Sequence, residues 1–231
     1  MTTRHEISVE GETVVAVHHE ADSDRWFVCC HGFVSDKGGS YASRCERAVA
    51  EGYNAVRFDF RGCGESSRSF GGQTLSSRIA DLRAVLSYFD PGELVLFGSS
   101  FGGKVALHVG TAADVAAIAV RAPVTYTRAF ERYRSPPEQT DDLVVGIEPA
   151  FFDDLDSYPF ESVAADISAP VAVFHGREDE SVPVGDSLEA AGALSVDTAL
   201  ELYEGEGHRF SRAAEARMRD RLFGWLDSLS A

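Results

Sequence analysis

The chain has 231 residues, with 37 acidic against 21 basic side chains, a formal net charge of −16 and 44% hydrophobic residues. Phosphate binding needs a concentrated basic face, so this balance argues against nucleic acid as a partner. The hydrophobic content rules out a disordered chain, and the length predicts a single domain spanning residues 1–231.

Only Lys37 and Lys104 are lysines, and the other 19 basic residues are arginines. With so many carboxylates, this composition is that expected in a host with a salty cytoplasm, where salt screens the repulsion. The four cysteines are Cys29, Cys30, Cys45 and Cys63. They lack zinc-like spacing, so no metal is expected. The first three read as small buried hydrophobes, and Cys63, in a Gly-rich loop, as open to solvent. "MTTRHEISVEGE" carries no apolar signal core. The most apolar long window, 104–120, is interrupted by Lys104, His108, Gly110 and Asp114. A soluble, cytoplasmic protein with no membrane partner is expected.

Along the chain, "HEISVE" and "TVVAVHHE" alternate in hydropathy and predict an N-terminal hairpin. "RWFVCCHG" is continuously apolar, as in a strand buried on both faces. Residues 40–51 read as a helix stopped by Gly52, and "YNAVRFDFRG" as the next strand. In "TLSSRIADLRAVLSYFD", Leu75, Ile79, Leu82, Val85 and Leu86 share a helical face, Thr74 is the N-cap and Pro91-Gly92 the stop. "ELVLFG", "VAAIAVRAP", "PVAVFHG" and "TALELYEG" are strands, with a helix at 100–111 and another from about 209 to 229. Strands alternating with helices predict a parallel sheet covered on both faces. About 123–168 separates two strands by more than an ordinary connection and is rich in aromatics. It reads as a small inserted cap, or as a crossover helix with a decorated loop.

The stretch "VLFGSSFGGKVAL" (95–107) places two serines where a strand hands over to a helix. A nucleophile on such a turn needs very small residues two before and two after it, because neighbouring backbone passes close by. Ser100 has Gly98 and Gly102 at those positions; Ser99 has Phe97 and Phe101 and fails. An oxyanion hole needs backbone donors. The Phe101 N–H and the Phe33 N–H, in the loop after "CCHG", are the candidates. The general base is expected in a loop after the acid, which selects His208 in "YEGEGHRFS" over His31, which precedes the nucleophile. The orienting carboxylate is Asp179 in "HGREDESVPV"; Glu178 and Glu180 read as solvated. Arg121 and Arg128 are candidates to meet a substrate carboxylate, although a surface role suits most arginines.

The segments "HGF", "RFDFRGCGES", "GSSFGG", "HGREDESVPV" and "GEGHRF" together resemble the α/β-hydrolase superfamily over nearly the whole chain. The branch they resemble contains feruloyl/cinnamoyl esterase-like and serine-aminopeptidase-like enzymes. That resemblance implies a mostly parallel eight-stranded sheet with helices on both faces and a small cap. It also implies a serine hydrolase cleaving esters of small or medium acyl substrates through an acyl-enzyme, without a cofactor. A thioesterase, peptidase or perhydrolase with the same triad is the alternative within enzymes. A non-catalytic binding protein on this fold is the alternative outside them.

Overall fold

The computed structural model describes residues 1–131, 133–134 and 147–229. Strands β1 (Thr2–Val9) and β2 (Glu12–His19) form the expected hairpin, with Val9 opposite Glu12. Glu10 and Gly11 both take positive φ, 52° and 83°, the reversal whose twist suits a two-residue hairpin. β3 (Arg25–Cys30) leads through α1 (Ser40–Ala50) to β4 (Asn54–Asp59), and α2 (Leu75–Phe89) leads to β5 (Glu93–Ser99). α3 (Phe101–Gly110) and β6 (Ala117–Arg121) follow. After them come α4 (Arg128–Glu131), α5 (Pro149–Asp156) and α6 (Phe160–Asp166). β7 (Val171–Gly176), α7 (Val184–Ala193), β8 (Thr198–Tyr203) and α8 (Arg212–Leu229) complete the described chain.

The eight strands lie in one sheet in the order β1-β2-β4-β3-β5-β6-β7-β8. β2 meets both its neighbours antiparallel, and every pairing from β4 to β8 is parallel. The inner strands are buried on both faces, which is why they read as unbroken apolar runs. Cys29 and Cys30 show the alternation directly. Cys29 packs with Cys45 and Ala48 of α1 and with Met218 and Leu222 of α8. Cys30 belongs to the opposite core, with Leu82 of α2 and Val105 of α3.

Local signals place the helices. The Thr74 hydroxyl accepts from the Ser77 N–H at 3.0 Å, and the Ser77 hydroxyl returns the bond to the Thr74 backbone, a capping box at the start of α2. α2 ends on Asp90 in the left-handed region, just before Pro91. Cys63 departs from expectation: it is buried, with its sulfur 3.5 Å from the Arg78 guanidinium. The loop that carries it packs against Arg78, which is itself buried.

The expected cap at 123–168 includes residues 132 and 135–146, which lie outside the described residues. Its described parts are tied to the sheet-covering helices. Asp154 of α5 accepts from the Ser76 N–H at 3.0 Å in the first turn of α2. Buried Lys104 of α3 donates to Tyr158 O at 2.8 Å and Thr125 O at 3.3 Å, and burial lowers its pKa to about 8.

Candidate active site

The turn from β5 to α3 presents Ser100 with φ 55° and ψ −122°, a conformation that an L-residue holds only under constraint. The constraint is visible. The Ser100 N–H donates to Arg121 O at 2.9 Å, and Ser100 O accepts from the Gly103 and Val124 N–H groups at 2.9 and 3.1 Å. The flanking glycines are needed for the reason of close approach. A Cβ on Gly98 would collide with Gly102 O, and one on Gly102 with the Cys30 and His31 carbonyl oxygens. Ser99 turns away: it is buried, and its hydroxyl accepts from Arg121 Nε at 3.4 Å.

Three side chains from three strand ends meet. Ser100 Oγ lies 3.1 Å from His208 Nε2, and His208 Nδ1 lies 2.8 Å from Asp179 Oδ2. Facing a carboxylate, Nδ1 carries the proton, which leaves the Nε2 lone pair for the serine hydroxyl. Asp179 is held from every side. Oδ1 accepts the Ser181 and Val182 N–H groups at 2.8 and 2.9 Å. Oδ2 also faces His175 Nε2 at 3.1 Å. That nitrogen faces a second acceptor as well, Val182 O at 3.1 Å, so it is the protonated one. His175 Nδ1 then accepts the Ser187 hydroxyl proton at 2.7 Å.

Burial raises the cost of charging Asp179, but the hydrogen bonds from His175, His208 and the Val182 N–H outweigh it. They hold the carboxyl well below the usual carboxylate range. The unfolded chain, with Asp near about 3.9, therefore takes up its proton first as pH falls. The stability that Asp179 contributes is fully present above that value and drains away below it. The expected result is a gap in unfolding free energy between wild type and Asp179→Asn that is constant from about pH 7 to 5 and narrows below about pH 4. Denaturant titrations across that range measure it.

The Phe33 and Phe101 N–H groups have no hydrogen-bond acceptor among the described residues. Gly32 lies against Ser100, with room for only an ordinary contact between them. His31 is fully engaged: Nδ1 donates to Gly32 O at 2.8 Å, and Nε2 accepts the Phe60 N–H at 3.1 Å. Burial and then the Arg78 charge push its pKa down to about 3. It shapes the loop and has no free nitrogen for base chemistry.

These groups open on a cavity of about 1030 Å³, lined by Ser100, His208, Phe33, Phe130, Tyr133 and Arg121 among others. The aromatics of 123–168 divide. Phe130 and Tyr133 reach the cavity, while Phe151, Phe152 and Phe160 are buried in the core. Rings of Phe33 and Phe101 pack on Phe130 and Phe151 at 5.1–5.7 Å between centroids. Arg121 corrects its surface reading. It is buried, donates to His208 O and faces Glu215 at 3.9 Å. Arg128 pairs outside the cavity, with Asp186 at 2.7 Å and Glu189 at 2.5 Å. Sequence reasoning passed over His175 as a partner of Asp179. It also missed Arg78, whose position under the Phe33 loop depends on long-range packing. A separate cavity of about 500 Å³ beside β8 and α8 holds no nucleophile–base pair among its lining residues.

A mostly parallel sheet with helices on both faces and a sharp strand–turn–helix elbow is the architecture of an α/β hydrolase. The chain belongs to the alpha/beta hydrolase family, whose model matches residues 27–223. Among curated relatives it is similar to the palmitoyl-protein thioesterase ABHD10, mitochondrial, of Pongo abelii. The two are 25% identical over 207 residues, covering 81% of this chain and 68% of that protein. Among solved structures, Est1E from Butyrivibrio proteoclasticus with ferulic acid bound superposes with TM-score 0.86 at 17% identity, covering 97% and 98% of the two chains. Alpha/beta hydrolase domain-containing protein 10 from mouse gives TM-score 0.86 at 20% identity over 98% and 99%. These likenesses to solved structures establish the fold.

Proposed function

We propose that the chain is a serine hydrolase acting on carboxylic esters of small or medium acyl groups. The observation that carries the reading is the unbroken relay Ser100 Oγ–His208 Nε2–Asp179 at 3.1 and 2.8 Å, beside two backbone donors with no acceptor among the described residues. Ser100 Oγ attacks the acyl carbonyl while His208 Nε2 takes its proton, and the carbonyl oxygen takes up negative charge facing the Phe33 and Phe101 N–H groups. The carbon–leaving-group bond breaks as His208 returns the proton to the leaving atom. Water then attacks the acyl-enzyme, His208 removes its proton, and Ser100 is released with the acid. Asp179 keeps His208 in the working tautomer and stabilises its charged form. The cavity volume suits a small organic substrate, and the described residues Val124, Ala129, Phe130 and Tyr133, which line it, are read as part of a small cap. The proposed mechanism needs no cofactor. The described helices include none long and apolar enough to cross a membrane.

Thioester hydrolysis is the second reading, favoured by the likeness to a protein named as a palmitoyl-protein thioesterase. Side-by-side turnover of an ester, a thioester and an amide of one acyl group separates these classes. The hydrolase reading itself is tested with a fluorophosphonate probe and peptide mapping. Label on Ser100 that disappears in Ser100→Ala is the expected result. No label on folded wild type would sink the reading in favour of a non-catalytic binding protein.

A further inference from the structure

The chain carries 37 acidic against 21 basic residues, yet its cavity has the opposite balance. Arg121, Arg209, Arg212 and Arg219 line it, against the single carboxylate of Glu215 among the described lining residues. Glu215 is already engaged, 2.5 Å from Arg44 and 3.9 Å from Arg121. Helix α8 shows that this is not a general surplus of arginine. Arg217 and Arg221 on that helix both approach Glu201, at 3.8 and 3.6 Å. Arg212 and Arg219 of the same helix, and Arg209 just before it, have no carboxylate within 4.0 Å among the described residues. Three guanidiniums left without counter-charge around one concavity repel one another. They focus a positive potential there, against the sign of the whole molecule.

We propose that the site takes acyl esters or thioesters whose leaving group carries an anion, a carboxylate or a phosphate, which Arg209, Arg212 and Arg219 hold. This rests on the serine hydrolase reading. Two observations place the anion on the leaving group. First, His208 must hand its proton to the leaving atom, so that group departs on the His208 side, where Arg209 is the next residue in the chain. The basic wall continues from there along α8 to α1, where Arg219 donates to the Ser43 hydroxyl at 3.3 Å. Second, Phe33, Val124, Ala129 and Phe130, from the loops after β3 and β6 and from α4, give an apolar surface suited to an acyl chain. Guanidinium matches both anions through paired N–H donors.

The experiment uses butyrate esters of phenols matched in acidity, one neutral, one bearing a carboxylate and one a phosphate on the phenol. A fourth ester carries its carboxylate at the far end of the acyl chain instead. The readout is the ratio of kcat/KM for each charged ester to that for the neutral one, which does not depend on the active fraction of a preparation. We expect a ratio of about ten or more for an anionic leaving group, and the larger of the two ratios identifies the preferred anion. The ratio should fall toward one in Arg209→Gln/Arg212→Gln/Arg219→Gln. It should fall likewise in the Arg209→Gln/Arg212→Gln variant, whose changes lie at exposed positions. It should also shrink as salt is raised to about 1 M, where the screening length is about 3 Å. A ratio near one in wild type, a ratio that survives both variants, or preference for the acyl-side carboxylate overturns the inference. If Ser100 takes the fluorophosphonate label in those cases, the hydrolase reading stands and only the leaving-group assignment fails. No label and no turnover of any ester overturns both.

Discussion

Ser100→Ala, His208→Ala and the double variant are expected to reach the same residual kcat/KM, on the order of 10⁴ to 10⁶ below wild type. In the proposed mechanism the two side chains perform one act. At 3.1 Å the imidazole and the hydroxyl share a single proton. A serine without its base is a poor nucleophile, and a base without its serine has nothing to activate. Removing the second partner then costs almost nothing more. What remains is the contribution of the cavity and of the Phe33 and Phe101 N–H donors, which neither substitution touches. Initial rates on an activated ester, normalised to folded protein, make the comparison. Losses that multiply in the double variant would mean that the two residues act independently, which would break the relay.

The elbow was readable because its chemistry imposes a local rule: backbone approaches so closely that Gly98 and Gly102 admit no side chain. Asp179 and His208 could be nominated as candidates because each follows a strand end, and strand ends declare themselves by apolar runs. Helix α7 was not read. "VGDSLEAAGA" is short and rich in small residues, so its periodicity is weak. That omission hid a second one. His175 faces Asp179 through one nitrogen and Ser187, which sits on α7, through the other. Arg121 was misjudged for a related reason. Exposure is the ordinary state of an arginine, and nothing within a few residues announces that Glu215 from the distant α8 will face it. The basic character of the cavity was hidden for the same reason. It depends on which arginines lack partners, and pairing is decided by the fold.

Arg78→Met is expected to lower kcat by about 100-fold with KM little changed, and to cost about 3 kcal/mol of stability. Arg78 is fully buried and has no carboxylate within 4.0 Å among the described residues. Its guanidinium donates instead to Gly32 O at 3.2 Å and Phe33 O at 2.8 Å, and through Nε to Gln73 Oε1 at 2.8 Å. The rings of Phe60 and Phe101 flank it at 4.8 and 5.3 Å. Burial lowers its pKa from the ordinary arginine value, but a guanidinium stays protonated at neutral pH. Drawing the Gly32 and Phe33 carbonyls inward holds the loop with the Phe33 N–H without an acceptor among the described residues, as the proposed oxyanion role requires. Methionine fills much of the same volume but donates nothing. Two buried carbonyls then lose a charged donor, and the loop is free to turn and satisfy them elsewhere, taking the Phe33 N–H out of line. In the proposed mechanism the oxyanion forms on the way through the transition state and is absent from the bound substrate, so its loss falls on kcat and spares ground-state binding. Arg78→Lys keeps the charge but cannot span both carbonyls, and should recover stability more than rate. Denaturant melts and steady-state kinetics on the same preparations separate the two effects. A variant that loses stability yet keeps kcat would confine Arg78 to the fold and leave the oxyanion donors positioned by the Phe33–Phe101–Phe130 packing alone.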